Sequence, residues 1–130
     1  MIHISRDGEQ FGPYSPEQVQ EYLAGGQLLP TDLAWCEGAA DAVRALNEAG
    51  YYVFVVTNQA GVARGLCGTD DVERLHDWMN SELRTAGAHI DAFYYCPHHP
   101  SVGTGPQTRA CDCRKPSPGM LRTAMADWPI

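Results

Sequence analysis

The stretch that most restricts the fold is YYVFVVTNQ, residues 51–59. Every residue from Tyr51 to Thr57 is aromatic or β-branched, with no alternation of polar and apolar positions. Such a run suits a strand covered on both faces, as in a parallel sheet flanked by helices. Its surroundings agree. AADAVRALNEAG, before it, puts Ala39, Val43 and Leu46 at helical spacing and stops at Gly50. The glycine-punctuated GVARGLCG follows, and then a helix with Thr69 as its cap and Asp70 and Asp71 in its first turn. Val72, Leu75, Trp78, Met79 and Leu83 are expected to form its apolar face. AFYYC reads as a second strand and SPGMLRTAMADW as the start of a last helix. From residue 39 the order is helix, strand, helix, strand, loop, helix, which predicts an α/β fold with a parallel sheet.

The first 38 residues read differently. MIHISRDGEQFGPYS predicts a short hairpin, with Ile2 and Ile4 alternating and RDGEQ supplying the turn. SPEQVQEYLAGG predicts a helix capped by Ser15, with Pro16 at its first position and Gln18 completing a capping box. Val19, Tyr22 and Leu23 share one face, and Gly25-Gly26 ends the element. LLPTDLAWCEG follows as a loop with a strand near Trp35. A chain of 130 residues suits a single domain, or one domain with a small appendage.

Net charge excludes one class of partner. At −7, with eight arginines and one lysine, there is no basic stripe for nucleic acid. A phosphorylated substrate remains compatible, because a few placed cations suffice for it. No apolar run approaches the roughly 18 residues of a membrane helix, and the N-terminus lacks the apolar region of a signal peptide. No membrane partner and a cytoplasmic location are the corresponding expectations. Five cysteines fit a complete disulfide framework poorly, and in a reducing compartment clustered Cys and His point to metal.

Three cysteines, two histidines and the chain's single lysine fall within CPHHPSVGTGPQTRACDCRKP, residues 96–116. Cys96-x-His98 and Cys111-x-Cys113 are two bidentate grips separated by twelve residues. In extended backbone residues i and i+2 point the same way, so each pair can face one ion. Three thiolates and an imidazole make a tetrahedral zinc set. His99 competes with His98 as a ligand, but in extended backbone it points away from Cys96. The alternative is a group of unrelated cysteines near a proline-rich turn. A closed four-ligand set leaves no position for water, so the expected Zn2+ is structural.

Two further stretches carry candidate chemistry. In VVTNQAGVARG, Thr57 lies at the carboxyl end of the expected strand, where ligands of parallel sheets gather. Its hydroxyl can hold a phosphoryl oxygen, Asn58 and Gln59 add donors and acceptors, and Arg64 can reach an anion. Turn chemistry at the end of a strand is the plainer account of Thr57-Asn58. In CRKPSPG, Arg114 and Lys115 emerge directly from the metal grip. Arg binds phosphate bidentately and Lys acts as a compact point charge. Two solvated surface cations are the plainer account there.

On VVTNQAGVARG, YYCPHHP and CDCRKPSPGML, residues 39–130 resemble the haloacid-dehalogenase superfamily, and within it the D-glycero-D-manno-heptose 1,7-bisphosphate 7-phosphatases. The resemblance implies a partial Rossmann-like parallel sheet with a zinc-binding loop at 96–113. It implies phosphate binding by Thr57, zinc at Cys96, His98, Cys111 and Cys113, substrate binding by Arg114, and phosphoryl neutralisation by Lys115. A phosphorylated sugar is the implied substrate and Mg2+ the implied cofactor.

That chemistry also needs an aspartate nucleophile and an acid/base aspartate as D-x-D, plus an acidic motif for Mg2+. No D-x-D precedes the helix at 39–49, and ADWPI ends before the strand expected to carry the acidic motif. Asp7 in ISRDG is the nearest relic of the acid/base, with Ser5 in the nucleophile's place, although RDG reads more simply as a hairpin turn. A phosphatase lineage with little or no turnover is the expectation, and a non-catalytic zinc-stabilised domain is its alternative.

Residues 1–38 resemble a bacterial GYF-like domain on GPYS, the helix after it and LLPTDLAWCEG. Phe11, Tyr14 and Trp35 then offer a groove for a proline-rich peptide, or else form the module's own small core. The two modules, 1–38 and 39–130, meet near Glu37-Gly38-Ala39; a natural fusion, a truncated product and an assembly of segments all fit. A parallel sheet lacking neighbouring strands exposes unpaired edges, which predicts self-association unless the hairpin covers one of them.

Overall fold

A computed structural model describes residues 1–6, 9–29, 33–36 and 38–130. The chain divides into two compact units, Met1–Ala42 and Val43–Ile130.

The first unit contains β1 (Ile2–Arg6), β2 (Glu9–Tyr14), α1 (Pro16–Ala24) and β3 (Leu33–Cys36). Its antiparallel sheet has the order β2-β1-β3. Ile4, at the centre of β1, pairs with Phe11 on one side and Ala34 on the other and is buried. Between Ile2↔Tyr14 and Ile4↔Phe11 the β2 strand carries one extra residue, at Gly12-Pro13. Proline lacks the N–H a ladder needs and is tolerated on this edge strand as part of a bulge. The capping box of α1 is as expected: the Gln18 N–H donates to Ser15 Oγ at 3.2 Å, and the Ser15 N–H donates to Gln18 Oε1 at 2.8 Å.

Helix α2 (Ala39–Glu48) runs across the division at Ala42 into the second unit. There follow β4 (Phe54–Asn58), α3 (Thr69–Thr85), β5 (Ala92–Cys96) and α4 (Gly119–Asp127). β4 and β5 are parallel and in register, Thr57 opposite Tyr95 and Asn58 opposite Cys96. Their amino ends are tied by Asp91, whose N–H donates to the Val53 carbonyl at 2.8 Å and whose Oδ2 accepts the Val53 N–H at 2.7 Å. Helix α4 packs on both strands. Trp128, just after it, sits 5.2 Å from Phe54 and 4.9 Å from Tyr52, ring centre to ring centre.

Three expectations are corrected here. The strand is shorter than the run that announced it, and β4 is half-buried throughout rather than covered on both faces. Its sheet has two strands among the described residues, so it lacks the width that two full helical layers would cover. Thr69 is the first helical residue of α3 rather than its cap; Gly68 precedes it, and the Gly68 N–H donates to the Asp71 carboxylate at 2.8 Å. Trp78 is 40% exposed, whereas His76 is 6% exposed and stacks on Phe93 at 4.4 Å and 14°. Two residues past His76, Trp78 sits on the far side of the helix. No described helix is long and apolar enough to cross a membrane.

Candidate metal clamp and anion site

Strand β5 ends in the fully buried Cys96, and the ladder extends one step further through the Gln59 N–H to the Cys96 carbonyl at 2.8 Å. His98 follows, also buried. The loop then returns through the His99 N–H to the Gln107 carbonyl at 3.1 Å and brings Cys111 and Cys113 back to Cys96.

One ligand atom from each of Cys96, His98, Cys111 and Cys113 lies within 4.8 Å of all the others. Sγ of Cys111 is 3.5 Å from Cys96 and 3.4 Å from Cys113; Nδ1 of His98 is 3.3 Å from Cys113 and 3.7 Å from Cys96. A zinc tetrahedron with sulfur at about 2.3 Å has edges of about 3.8 Å. Most of these separations match that cage, and the Cys96–Cys113 approach of 2.8 Å is tighter. Electrostatics make the same demand. Burial raises the Cys111 thiol, but hydrogen bonds from Cys113, the Arg114 backbone, Cys96 and His98 outweigh it and bring it to about 6. Burial and the sulfur contacts of Cys96 and Cys111 push Cys113 up to about 12. Sulfurs this close ionise together only around a cation. The donor set therefore fits a soft divalent ion.

Two glycines press the clamp onto its neighbours. A Cβ at Gly119, which opens α4, would lie 2.5 Å from the Asp112 carbonyl oxygen. Gly103 has φ +124°, and a Cβ there would lie 2.0 Å from the Ala63 carbonyl oxygen. The loop between the two grips thus rests on the turn that carries Arg64.

Beside the clamp, the candidate anion residues converge at the carboxyl end of β4. Asn58 holds the Lys115 backbone from both sides, at 2.9 and 3.3 Å. The Lys115 ammonium donates to the Val56 carbonyl at 3.1 Å, one residue before Thr57. Thr57 Oγ1 accepts from Gln59 Nε2 at 3.2 Å, which leaves the hydroxyl hydrogen for another acceptor. Arg114 Nη1 donates to the His98 carbonyl at 3.4 Å. His99 stays outside the sulfur cluster, its Nδ1 accepting the Ser101 and Val102 N–H groups at 3.2 and 2.9 Å. Burial, then the charges of Arg114 and Arg64, lower its pKa.

The structure thus gathers Thr57, Asn58, Gln59, Arg114 and Lys115 on one lip; Arg64 follows Ala63, on which Gly103 of the clamp loop is seated. Asp7 lies outside the described residues. Ser5 belongs to the first unit, in β1 between Gln10 and Leu33. Arg109 was not singled out from the sequence; its Nη2 lies 3.0 Å from His98 Nε2. Its position two residues before Cys111, on the same side of extended backbone, was the available signal. Nothing in the sequence marked Gly103.

The first unit has its own cavity of about 380 Å³, lined by Arg6, Phe11, Tyr14, Tyr22, Gln27 and Leu28. Tyr14 and Tyr22 meet edge to face at 5.2 Å, and the Arg6 guanidinium sits over the Phe11 ring at 5.9 Å. The side chain of Trp35 lies outside the described residues.

Comparison with known proteins agrees with both halves of the chain. Residues 3–48 match the family model of GYF domain 2. The D-glycero-beta-D-manno-heptose-1,7-bisphosphate 7-phosphatase of Rhodopseudomonas palustris is 51% identical over 98 residues, 75% of this chain and 54% of that protein. The protein of the same name from Escherichia coli K12 is 44% identical over 88 residues, 68% of this chain and 46% of that one. The solved D,D-heptose bisphosphate phosphatase of B. bronchiseptica, complexed with magnesium and phosphate, is 37% identical with a TM-score of 0.62, over 73% of this chain and 49% of that one. A structure described as a HAD-like phosphatase, from Mesorhizobium loti, is 33% identical with a TM-score of 0.68, over 75% and 46%. The chain spans about half the length of the curated relatives it matches. It is a chain whose residues 3–48 match GYF domain 2 and that, over about half of their length, is similar to the heptose bisphosphate phosphatases and shares their HAD-like α/β fold.

Proposed function

We propose that the Val43–Ile130 unit is a zinc-clamped phosphoryl-binding module of sugar-bisphosphate phosphatase descent, with little or no turnover of its own. The observation that supports it most is the capture of Lys115 by Asn58, which holds the chain's single lysine at the carboxyl end of β4 beside Thr57. Thr57 and Lys115 bind the phosphoryl group, and Arg114 and Arg64 bind neighbouring anionic oxygens of a phosphorylated sugar. Zn2+ at Cys96, His98, Cys111 and Cys113 is structural, holding the loop from which both Arg114 and Lys115 emerge.

Magnesium accompanies phosphate in the B. bronchiseptica structure. Among the described residues the one group of three or more His, Cys, Asp or Glu side chains fit to hold an ion is the Cys/His clamp. A nucleophilic carboxylate beside Thr57 is likewise missing from the described part of the lip. Losing a nucleophile costs several orders of magnitude in rate.

Calorimetric titration with inorganic phosphate, run beside phosphate release from heptose 1,7-bisphosphate, tests the reading. The expected result is phosphate binding that Lys115→Ala weakens at least tenfold, with release near background. Release at the rate of a full-length relative would overturn the impaired half of the reading. Binding indifferent to Lys115→Ala would overturn the site.

The aromatic cavity of the first unit favours a second reading for that unit alone. A groove floored by Phe11, Tyr14 and Tyr22 suits the apolar pyrrolidine rings of a proline-rich peptide in its extended left-handed helix. Titration with such a peptide should shift tyrosine resonances, and an unchanged spectrum at millimolar ligand would end this reading.

A further inference from the structure

The sequence placed His99 in competition with His98 for the metal, and the structure leaves it out of the clamp with its ring held in one orientation. Nδ1 accepts two backbone N–H groups, from Ser101 at 3.2 Å and Val102 at 2.9 Å. A ring nitrogen that accepts carries no hydrogen, so the proton of the neutral imidazole sits on Nε2. The backbone of His99 is fixed as well, its N–H donating to the Gln107 carbonyl at 3.1 Å.

Two cations lie within electrostatic range of this ring. Arg114 reaches the His98 carbonyl, the group immediately before the His99 backbone nitrogen. Arg64 comes from the turn pressed against Gly103. The charges of both act on the His99 ring. Guanidinium groups only donate, and an Nε2–H only donates, so the three have nothing to give one another. An oxyanion is the partner that satisfies all three together.

We infer that His99 is an anion-binding residue of this site, presenting a fixed Nε2–H donor beside Arg64 and Arg114 to an oxygen of a phosphate monoester. The inference rests on the anion-site reading given above and adds to it a neutral donor that discriminates by position rather than by charge. A hydrogen bond from such a donor to a charged oxygen changes affinity about tenfold.

The test uses inorganic phosphate as the probe, titrated at pH 8 into the zinc-loaded parent chain, His99→Asn and Lys115→Ala. Asparagine keeps an acceptor for the Ser101 and Val102 N–H groups and has no donor at the Nε2 position. It therefore separates donation to the ligand from shaping of the loop. The expected result is about tenfold weaker phosphate binding by His99→Asn, with one zinc retained and an unchanged melt. Parent-like binding by His99→Asn alongside weakened Lys115→Ala would overturn the role of His99 and leave the site standing. Parent-like binding by both variants, or no binding by the parent chain, would overturn the site and His99 with it. Loss of zinc from His99→Asn would also overturn the inference, because His99 would then serve the clamp.

Discussion

The side chain of Asn58 bridges both backbone polar groups of Lys115: Nδ2 donates to the carbonyl at 3.3 Å, and Oδ1 accepts the N–H at 2.9 Å. This contact closes a segment of 57 residues and joins the end of β4 to the cation that follows the metal clamp. Removing it should free Lys115 without disturbing the sulfur ligands. Asn58→Ala is expected to cost about 1–2 kcal/mol, two hydrogen bonds of ordinary worth. It should weaken phosphate binding while leaving zinc content unchanged. Titration with phosphate and elemental analysis of the same sample check both halves.

Metal removal should act more broadly. Structural zinc supplies on the order of 10 kcal/mol to peptides that fold around it. Here an ion in the clamp would hold together the loop at 96–113 and the start of α4, which is pressed against Asp112 through Gly119. Purified protein is expected to hold one zinc per chain. Stripping by chelator should lower the melting temperature markedly and abolish phosphate binding. Absence of zinc together with an unchanged melt would mean that these four side chains do not serve as a clamp.

The Gly103 contact gives a sharper mutational test. An alanine there meets both an unfavourable φ of +124° and a Cβ placed 2.0 Å from the Ala63 carbonyl oxygen. Gly103→Ala should destabilise the unit by about 1–3 kcal/mol in chemical denaturation. Gly105 is two residues away and a Cβ there meets nothing within 4 Å, so Gly105→Ala is the control, expected within about 0.5 kcal/mol of the parent. Equal effects from the two substitutions would remove the argument that the clamp loop is seated on the Arg64 turn.

What could be read from the sequence follows from how far apart the interacting residues lie. The capping box of Ser15 and Gln18 is contained in four residues, and the two grips of the clamp are each a pair at i and i+2, so local geometry sufficed. Choosing the buried face of α3 did not come from the helix alone. Trp78 is the more apolar residue, yet His76 is the one that meets Phe93, a residue of β5. The Asn58–Lys115 bridge and the Gly103–Ala63 seat depend on loops closing over 57 and 40 residues, and neither leaves a periodic trace.

His76 also sets an expected pH dependence for the second unit. Its ring is 6% exposed, stacked on Phe93 and edge-on to Tyr95 at 5.8 Å. Burial lowers its pKa from the ordinary 6.5, and the charges of Asp77 and Glu73 oppose that only in part. Below about 6.5 the unfolded chain takes up a proton at this position that the folded unit resists. The unfolded state then binds more protons, so stability is full above that pH and declines as the pH falls below it. One proton limits the slope to about 1.4 kcal/mol per pH unit. Acid also loosens any metal from the thiolates, so the comparison must be made between zinc-loaded parent and zinc-loaded His76→Phe, which share that loss. Phenylalanine keeps the stack on Phe93 and has no proton to bind. Denaturation curves taken between pH 5.5 and 7.5 should show a steeper fall for the parent chain. Parallel slopes would mean that His76 does not contribute to the acid sensitivity of the unit.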